Sequence, residues 1–452
     1  MIANMEHLKS IYQNFDIRGE YNTELTEAET TKIARALTVL YQAKKVVIGY
    51  DYRPSSESLH AALLDGFLLQ GADVISLGLL TTPMLYHGAG VHNADVSVMI
   101  SGSHMAPRFN GLKICVQNVT PIGLDSGLAA VRDLVHASDF PTVDTPGSVE
   151  QQSIEKSWRA RCQSLVALGA GAPTKVVVDP ANMIGILELN TLRQFPELAV
   201  TSIYDTYDWS VPHHEANPVK LETMDDLGAR VVQDGAAIGI ALDGDADRIG
   251  IVDEKGQPVP QDVVGALLAE ELIARNGGSG TVLYDVRSSK FVAEVVERAG
   301  GRAIPWRIGH TYLRRKMPET GAIFALELSG HHFFKEMYNS EGGIYPALLL
   351  IEIMRQRALP LSELARAYRP YFHSSEINSS IRSTPDEIYQ TLRAEFPDAE
   401  FDTIDGLTIK YDTWWCNVRP SANDPVMRLN LEANDQATMT VYRDRVLELI
   451  RA

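Results

Sequence analysis

Four short stretches of this chain carry residue types that can do chemistry. The first is Ser101-Gly102-Ser103-His104-Met105-Ala106-Pro107-Arg108-Phe109-Asn110-Gly111-Leu112-Lys113. It follows the apolar run 95–100 and turns abruptly to Ser, Gly, His, Pro and Asn-Gly, the composition of an ordered loop. A hydroxyl beside an imidazole at a strand end, bracketed by glycines, fits a nucleophile on a rigid scaffold. The same residues also fit a polar loop with a capping Ser103 and a surface His104. The second stretch is Asp243-Gly244-Asp245-Ala246-Asp247-Arg248. In an extended chain its three alternating carboxylates share one face. Their mutual repulsion calls for a cation, and oxygen-only ligands select Mg²⁺ or Ca²⁺. An EF-hand is opposed by Arg248, where that loop needs Gly, although Glu254 stands at its twelfth position. An aspartyl-phosphate enzyme with Asp243 as nucleophile wants Thr or Val where Asp247 stands. A solvated acidic turn is the plain alternative.

Glu327, Ser329 and His331 also alternate, and a carboxylate and hydroxyl on one face suit the vicinal hydroxyls of a sugar. A partly exposed strand end fits equally. The fourth stretch, Arg419-Pro420-Ser421-Ala422-Asn423-Asp424-Pro425, offers a guanidinium, a hydroxyl, an amide and loop N–H groups to a phosphate. An ordinary turn closed by Pro425 has the same spacing.

The elements that must position these groups follow from hydrophobic periodicity. Thr26 with Glu29 forms a capping box that opens a helix to about residue 42, and Phe15-Asp16-Ile17-Arg18-Gly19 stands before any regular element. Strands are predicted at 46–50, 73–79, 95–100 and 112–116, with helices at 58–70 and 83–91. The stretch 140–150 reads as a linker. A second unit has helices at 154–168, 182–195 and 223–233 among strands at 175–179, 199–204 and 236–242. A third has helices at 263–274, 290–299 and 345–357 among strands at 281–286, 303–306 and 323–326. From about residue 370 the style changes to short strands between turns (404–411, 414–418, 427–432) and a final helix. Strands alternating with helices imply parallel sheets, and ligands then sit beyond the strands' carboxyl ends. The fold class expected is three tandem α/β mixed-sheet domains, 1–146, 147–252 and 253–369, plus a C-terminal α+β domain, 370–452.

At 452 residues the chain needs several cores. With 45% hydrophobic and 22% charged residues its composition is that of a globular protein. No apolar run reaches the ~18 residues of a membrane span, and 1–13 lacks the apolar core of a signal peptide. Cys115, Cys162 and Cys416 have no metal-binding spacing and point to a reducing cytoplasm. A net charge of −17 argues against nucleic acid and membrane partners. An anionic substrate then needs a local cluster of Arg and Lys.

Together and in this order, the four stretches resemble the α-D-phosphohexomutases, most closely the phosphomannomutase/phosphoglucomutase branch, from Phe15 to about Ala433. The Ser103 loop is similar to the family's Thr-Ala-Ser-His-Asn-Pro motif and its Asn-Gly-x-Lys continuation. Asp243–Arg248 resembles its metal loop, Glu327–His331 its Glu-Met-Ser-Gly-His sugar loop, and Arg419–Pro425 its Arg-x-Ser-Asn-Thr-Glu-Pro phosphate loop. Trp306-Arg307-Ile308-Gly309-His310 matches a further ligand-contacting loop.

The resemblance implies a phosphoserine at Ser103 that, with Asp243, Asp245 and Asp247, holds one Mg²⁺. His104, Lys113, Arg18 and Arg248 are the implied catalytic neighbours. Substrate contacts fall to Arg287, His310, Glu327, Ser329, His331, Arg419, Ser421, Asn423 and Arg428. The implied reaction interconverts mannose 6- and 1-phosphates, with a phosphoglucomutase or a dual-specificity phosphohexomutase as the alternative, and with a hexose 1,6-bisphosphate as activator. Small hexose phosphates are the expected partners, and the chain is expected to be a monomer or a dimer. Departures are Met105-Ala106 for Asn-Pro, Phe15 for Tyr, Leu326 for Gly, Arg287 for Lys, and Ala422-Asn423-Asp424 for Asn-Thr-Glu. Because of them a sugar-phosphate-binding homologue without catalysis stands as a further alternative.

Overall fold

The computed structural model describes residues 11–421 and 426–452. Its architecture is the one expected: three mixed-sheet α/β units in tandem, then an antiparallel α+β unit. In the first sheet Val149–Gln151, Asp73–Leu79, Lys45–Tyr50 and Val96–Ile100 run parallel, and Phe109–Val116 and Ile17–Glu20 add antiparallel strands. Two sequence expectations are corrected here. Phe15–Gly19 does not stand before any regular element, since Ile17–Glu20 is a strand that pairs in register with Leu112–Phe109. Nor is 140–150 simply a linker, because Val149–Gln151 closes the edge of the first sheet beyond residue 146. Neither strand shows clear apolar alternation, because each is a short edge strand with few side chains to bury.

The second and third sheets repeat one pattern. Leu198–Ser202, Thr174–Asp179 and Ile238–Leu242 are parallel, and Ile249–Asp253 and Pro258–Val259 follow antiparallel. Arg302–Trp306, Thr281–Asp285 and Phe324–Leu326 are parallel, and His332–Phe334 and Ser340–Glu341 follow antiparallel. In all three units, therefore, one connection leads from a parallel strand into the first antiparallel one. The Ser103, Asp243 and Glu327 loops occupy that same connection, each at the carboxyl end of its parallel strand.

Strand alternation explains how the units pack. In the first sheet Val46, Ile48, Val96, Val98 and Ile100 face the unit's own helices. Val47 and Met99 face the other way, into a core they share with Val176, Val178, Ile238, Ile240, Val282, Phe324 and Leu326 of the next two sheets. One face of each sheet thus lies in a core shared among the units, in the first unit beneath its own helix Thr82–His92. The fourth unit has its own core, built around Trp414, Leu407, Leu429 and Val446.

Glu188 pins the shared region. Fully buried, it accepts from Thr81 Oγ1 at 2.9 Å and from Trp158 Nε1 at 3.0 Å, and a carbon added at Gly343 would meet its Oε1. Burial pushes its carboxyl up from 4.5 to about 7, against those hydrogen bonds. A carboxyl with a raised folded pKa stabilises the fold most below its unfolded value, and the benefit is lost as pH rises through about 7. The shift corresponds to about 3 kcal/mol. Glu188→Gln should therefore lower the melting temperature at pH 5 and do so much less at pH 8. A difference independent of pH would contradict this reading.

Candidate active site

Ser103 stands just past Val96–Ile100 in the left-handed region at φ 48° and is 3% exposed. That conformation costs about 1–3 kcal/mol in a non-glycine residue and needs outside support. Arg53 supplies it with five hydrogen bonds. Four go to the carbonyls of Ser103 (2.7 Å), Met105 (2.9 Å), Ala106 (3.2 Å) and Phe109 (2.9 Å), and one goes to Asp51 (3.2 Å). The Ser101 hydroxyl accepts from the Ser103 N–H at 2.8 Å and donates to Asp51 at 2.8 Å. Sequence reading missed Arg53 and Asp51. Their only signal is an Asp-x-Arg directly after the strand 45–50.

The aspartates converge by a route different from the one expected. They do not alternate along a strand. Asp243 to Arg248 is the tight turn joining Ile238–Leu242 to Ile249–Asp253, closed by Ala246 N–H to Asp243 O (3.1 Å) and Asp243 N–H to Arg248 O (3.3 Å). Ala246 takes φ 60°, and this curl gathers the carboxylates so that one oxygen of each lies within 4.8 Å of the others. Ser103 Oγ donates to Asp243 Oδ2 at 3.1 Å across the unit boundary. The approach needs Gly244, where an added carbon would sit 2.1 Å from the Ser103 carbonyl oxygen. Gly244→Ala should push the two loops apart, cost about 1–3 kcal/mol of stability, and cut activity on the order of 100-fold. Near-native activity would contradict the close contact.

All three carboxylates are buried, and Asp245 Oδ1 and Asp247 Oδ1 lack hydrogen-bond partners. Lys113 Nζ bridges Asp245 and Asp247, and the Thr82 hydroxyl, another group missed in the sequence, donates to Asp245. Arg248 holds Asp243 through Nε (3.0 Å) and Nη2 (2.9 Å). Burial and the charge of Asp247 push Asp243 up. Burial opposes the lysine's charge, but Asp245 and Asp247 raise it well above its ordinary value. Arg18, paired with Asp16 at 2.8 Å, is raised in the same sense. Three clustered carboxylates, two of them with an unpartnered oxygen, together with the Ser103 oxygen fit a hard divalent cation such as Mg²⁺. His104 lies 3.8 Å from Glu215, with its imidazole pushed down by burial and then by Arg248 and Arg18. The departures Met105 and Ala106 line a cavity of about 440 Å³ beside Ser103, with Met183 and Val211 opposite.

The Glu327 stretch is likewise a turn rather than an extended segment. It joins Phe324–Leu326 to His332–Phe334, closed by Glu327 N–H to His331 O at 3.0 Å, with Gly330 at φ 91°. The turn still brings the three residues together: Ser329 Oγ lies 2.8 Å from His331 Nδ1, and that nitrogen lies 3.1 Å from Glu327 Oε2. Glu327 Oε1 accepts from Gly309 N–H at 2.7 Å, which docks the His310 loop against it. His331 Nε2 reaches Asp247 Oδ1 at 3.5 Å, so the second and third loops touch. His331 is raised to about 9: burial works against its charge, but Asp247 and Glu327 prevail. His310 is buried at 5.9 Å from the His331 ring and is lowered by burial and by His331.

The cations expected from the fourth stretch gather at one carboxylate. Arg419 Nη2 is 3.0 Å and Arg428 Nη1 3.3 Å from Glu376, with Arg287 Nη1 at 3.8 Å from the same group. Arg287 is also held on Asp285 at 2.7 Å. Ser421 N–H closes the hairpin on Val426 O at 2.9 Å, and Asn423 lies outside the described residues. Among the described residues, the structure thus joins Ser103, Lys113, Arg18, Arg248, the aspartates, Glu327, Ser329, His331 and His310 into one connected cluster. It sets Arg287, Arg419 and Arg428 in a second.

Comparison with known proteins places the fold. Residues 9–141, 159–256 and 260–371 match the phosphoglucomutase/phosphomannomutase alpha/beta/alpha domains I, II and III in turn. The chain is 30% identical to a phosphomannomutase of Methanocaldococcus jannaschii, covering 97% of each. It is 32% identical to a phosphomannomutase/phosphoglucomutase of Pseudomonas aeruginosa, covering 97% of this chain and 95% of that protein. A phosphoglucomutase/phosphomannomutase family structure from Burkholderia thailandensis superposes with a TM-score of 0.90 at 30% identity, covering 97% of both chains. With its three α/β units, its loops at the repeated connection and its full-length relatives, this chain belongs to the α-D-phosphohexomutase family, in the phosphoglucomutase/phosphomannomutase group.

Proposed function

We propose that the chain is a phosphomannomutase that moves phosphate reversibly between O6 and O1 of mannose phosphate. The observation that carries this reading is the meeting of Ser103 Oγ with Asp243 at 3.1 Å, opposite the Glu327–Ser329–His331 loop. In the first half-reaction the bond from phosphorus to Ser103 Oγ breaks as a bond forms to the free sugar oxygen, whose proton ends on Ser103 Oγ, giving a hexose 1,6-bisphosphate. The bisphosphate turns end for end. Its other phosphoryl group then returns to Ser103 as its bond to the sugar oxygen breaks, and the serine hydroxyl proton ends on that oxygen. A serine that has lost its phosphate is recharged by hexose 1,6-bisphosphate, which makes that molecule the activator.

Phosphoryl transfer through a loose transition state asks mainly for positioning and charge. Lys113, Arg248 and Arg18 are all held protonated by neighbouring carboxylates, so they act as fixed charges rather than as proton carriers. Mg²⁺, held by Asp243, Asp245, Asp247 and the oxygen on Ser103, would supply Lewis-acid stabilisation of the transferring group. Glu327 and Ser329 suit the sugar hydroxyls, with His310 and His331 lining the approach. Arg287, Arg419, Arg428, Ser421 and Asn423 are assigned to the phosphate that is not being transferred. Binding energy spent there orients the reacting end.

Similarity to the Pseudomonas aeruginosa protein that carries both names favours glucose phosphates as second substrates. Three unpaired, buried cysteines suit a reducing cytoplasm, and no described helix is long and apolar enough to cross a membrane. A coupled assay with mannose 1-phosphate and glucose 1-phosphate, Mg²⁺ and a trace of hexose 1,6-bisphosphate tests the reading. Turnover with mannose preferred supports it. No turnover of either sugar by protein phosphorylated at Ser103 overturns it.

A further inference from the structure

The arginine cluster contains an anion of its own. Arg419 and Arg428 stand directly opposite each other on the antiparallel strands Trp414–Pro420 and Val426–Ala433. Like charges in that position repel. Arg287 brings a third guanidinium from another unit. Between them lies the carboxylate of Glu376. Its Oε2 is 3.0 Å from Arg419 Nη2, 3.8 Å from Arg287 Nη1 and 3.4 Å from Asn430 Nδ2, and its Oε1 is 3.3 Å from Arg428 Nη1. Glu376 belongs to neither flanking strand. It sits in the irregular link between Phe372–His373 and Ile377–Ser380, next to Ser375 at φ 58°. Its side chain is 30% exposed while that of Arg419 is 8% exposed, so the carboxylate faces solvent and the guanidinium it covers does not.

We propose that Glu376 is an internal competitor for the phosphate of the substrate and that it sets the anion selectivity of the Arg287–Arg419–Arg428 cluster. The proposal rests on the hexose-phosphate reading of that cluster. A carboxylate offers two oxygens and one negative charge; a phosphate dianion offers three oxygens and two charges to the same donors. The dianion can displace Glu376, whereas a singly charged ion gains nothing over the contact already present. Without ligand, Glu376 also keeps two facing arginines and a third from another unit in place. The cluster is then already arranged when substrate arrives. Burial, Arg287 and Arg428 lower Arg419 relative to an ordinary guanidinium, while Glu376 and Asp405 act to raise it.

The test is Glu376→Gln, which keeps the shape and removes the charge. Calorimetric titration with inorganic phosphate should show binding about tenfold tighter than in the native protein. The KM for mannose 1-phosphate should fall in the same direction, and monocarboxylic acids should become measurable inhibitors. Glu376→Asp keeps the charge with a shorter reach and should fall between the two. A carboxylate that only scaffolds the arginines predicts the opposite sign. Phosphate binding that is unchanged or weaker in the Gln variant, or undetectable in both proteins, overturns the inference. The titration needs no turnover: tighter phosphate binding in a chain that isomerises no hexose phosphate would sustain the competitor role while removing the mutase reading. Turnover with no tightening would do the reverse.

Discussion

Ser103→Ala is expected to abolish mutase activity, by on the order of 10⁴-fold or more, and to leave the purified chain without phosphate by intact-mass measurement. The loss will not come from unfolding. The variant forfeits one hydrogen bond, worth about 1 kcal/mol, and alanine meets the same left-handed strain at φ 48° that serine already bears. Asp243 keeps its contacts with Arg248, so no buried charge is stranded. The same variant separates the mechanisms open at the sequence level. An aspartyl-phosphate enzyme using Asp243 would retain substantial activity without Ser103. The geometry opposes that route, since both Asp243 oxygens are engaged: Oδ2 accepts from Arg248 Nε and Ser103 Oγ, and Oδ1 accepts from the Arg248 backbone N–H. A sugar-phosphate-binding homologue without catalysis predicts a native chain that never carries phosphate on Ser103. Retained activity in Ser103→Ala would end the phosphoserine mechanism.

The second large effect concerns Lys113. Asp243, Asp245 and Asp247 are buried at 0–5% exposure, and Lys113 at 4% neutralises two of them. Removing one partner of a buried charge network costs about 3–5 kcal/mol, because the remaining charges stay uncompensated. Lys113→Met should therefore be strongly destabilised in a chelator, read as the midpoint of urea unfolding. Adding Mg²⁺ should restore part of the loss, since a cation that binds only the folded state stabilises it by mass action. The native protein should gain less from Mg²⁺, because its lysine already offsets the charge. Equal destabilisation with and without Mg²⁺ would show that Lys113 matters for packing rather than for charge. Activity should fall as well, because the proposed reaction draws on its fixed positive charge.

The chemistry-bearing residues were legible in the sequence because their types are rare in combination. A Ser-His loop after a strand, three aspartates after another and a Glu-x-Ser-x-His after a third each stand at a break in hydrophobic periodicity, where a strand's carboxyl end leaves the core. Long elements with strong periodicity, such as Tyr345–Arg357, were equally legible. Short edge strands such as Ile17–Glu20 and Val149–Gln151 were not, because their pairing depends on a distant partner rather than on their own pattern.

By itself, then, the sequence singled out the candidate residues and the order in which they occur. How those residues meet was decided only by tertiary structure. Alternation along a strand was the natural reading of Asp243–Asp245–Asp247 and of Glu327–Ser329–His331, yet both are tight hairpin turns. Closing an antiparallel pair curls the chain, and that curl converges the side chains. The supporting groups were invisible for a related reason. Arg53, Thr82 and Glu376 lie roughly 50 to 160 residues from some of the groups they hold, and nothing local marks a guanidinium that spends its hydrogen bonds on another loop's carbonyls. Long-range charge and hydrogen bonding are satisfied only when the chain folds, so a sequence can name the reacting groups without showing what holds them in place.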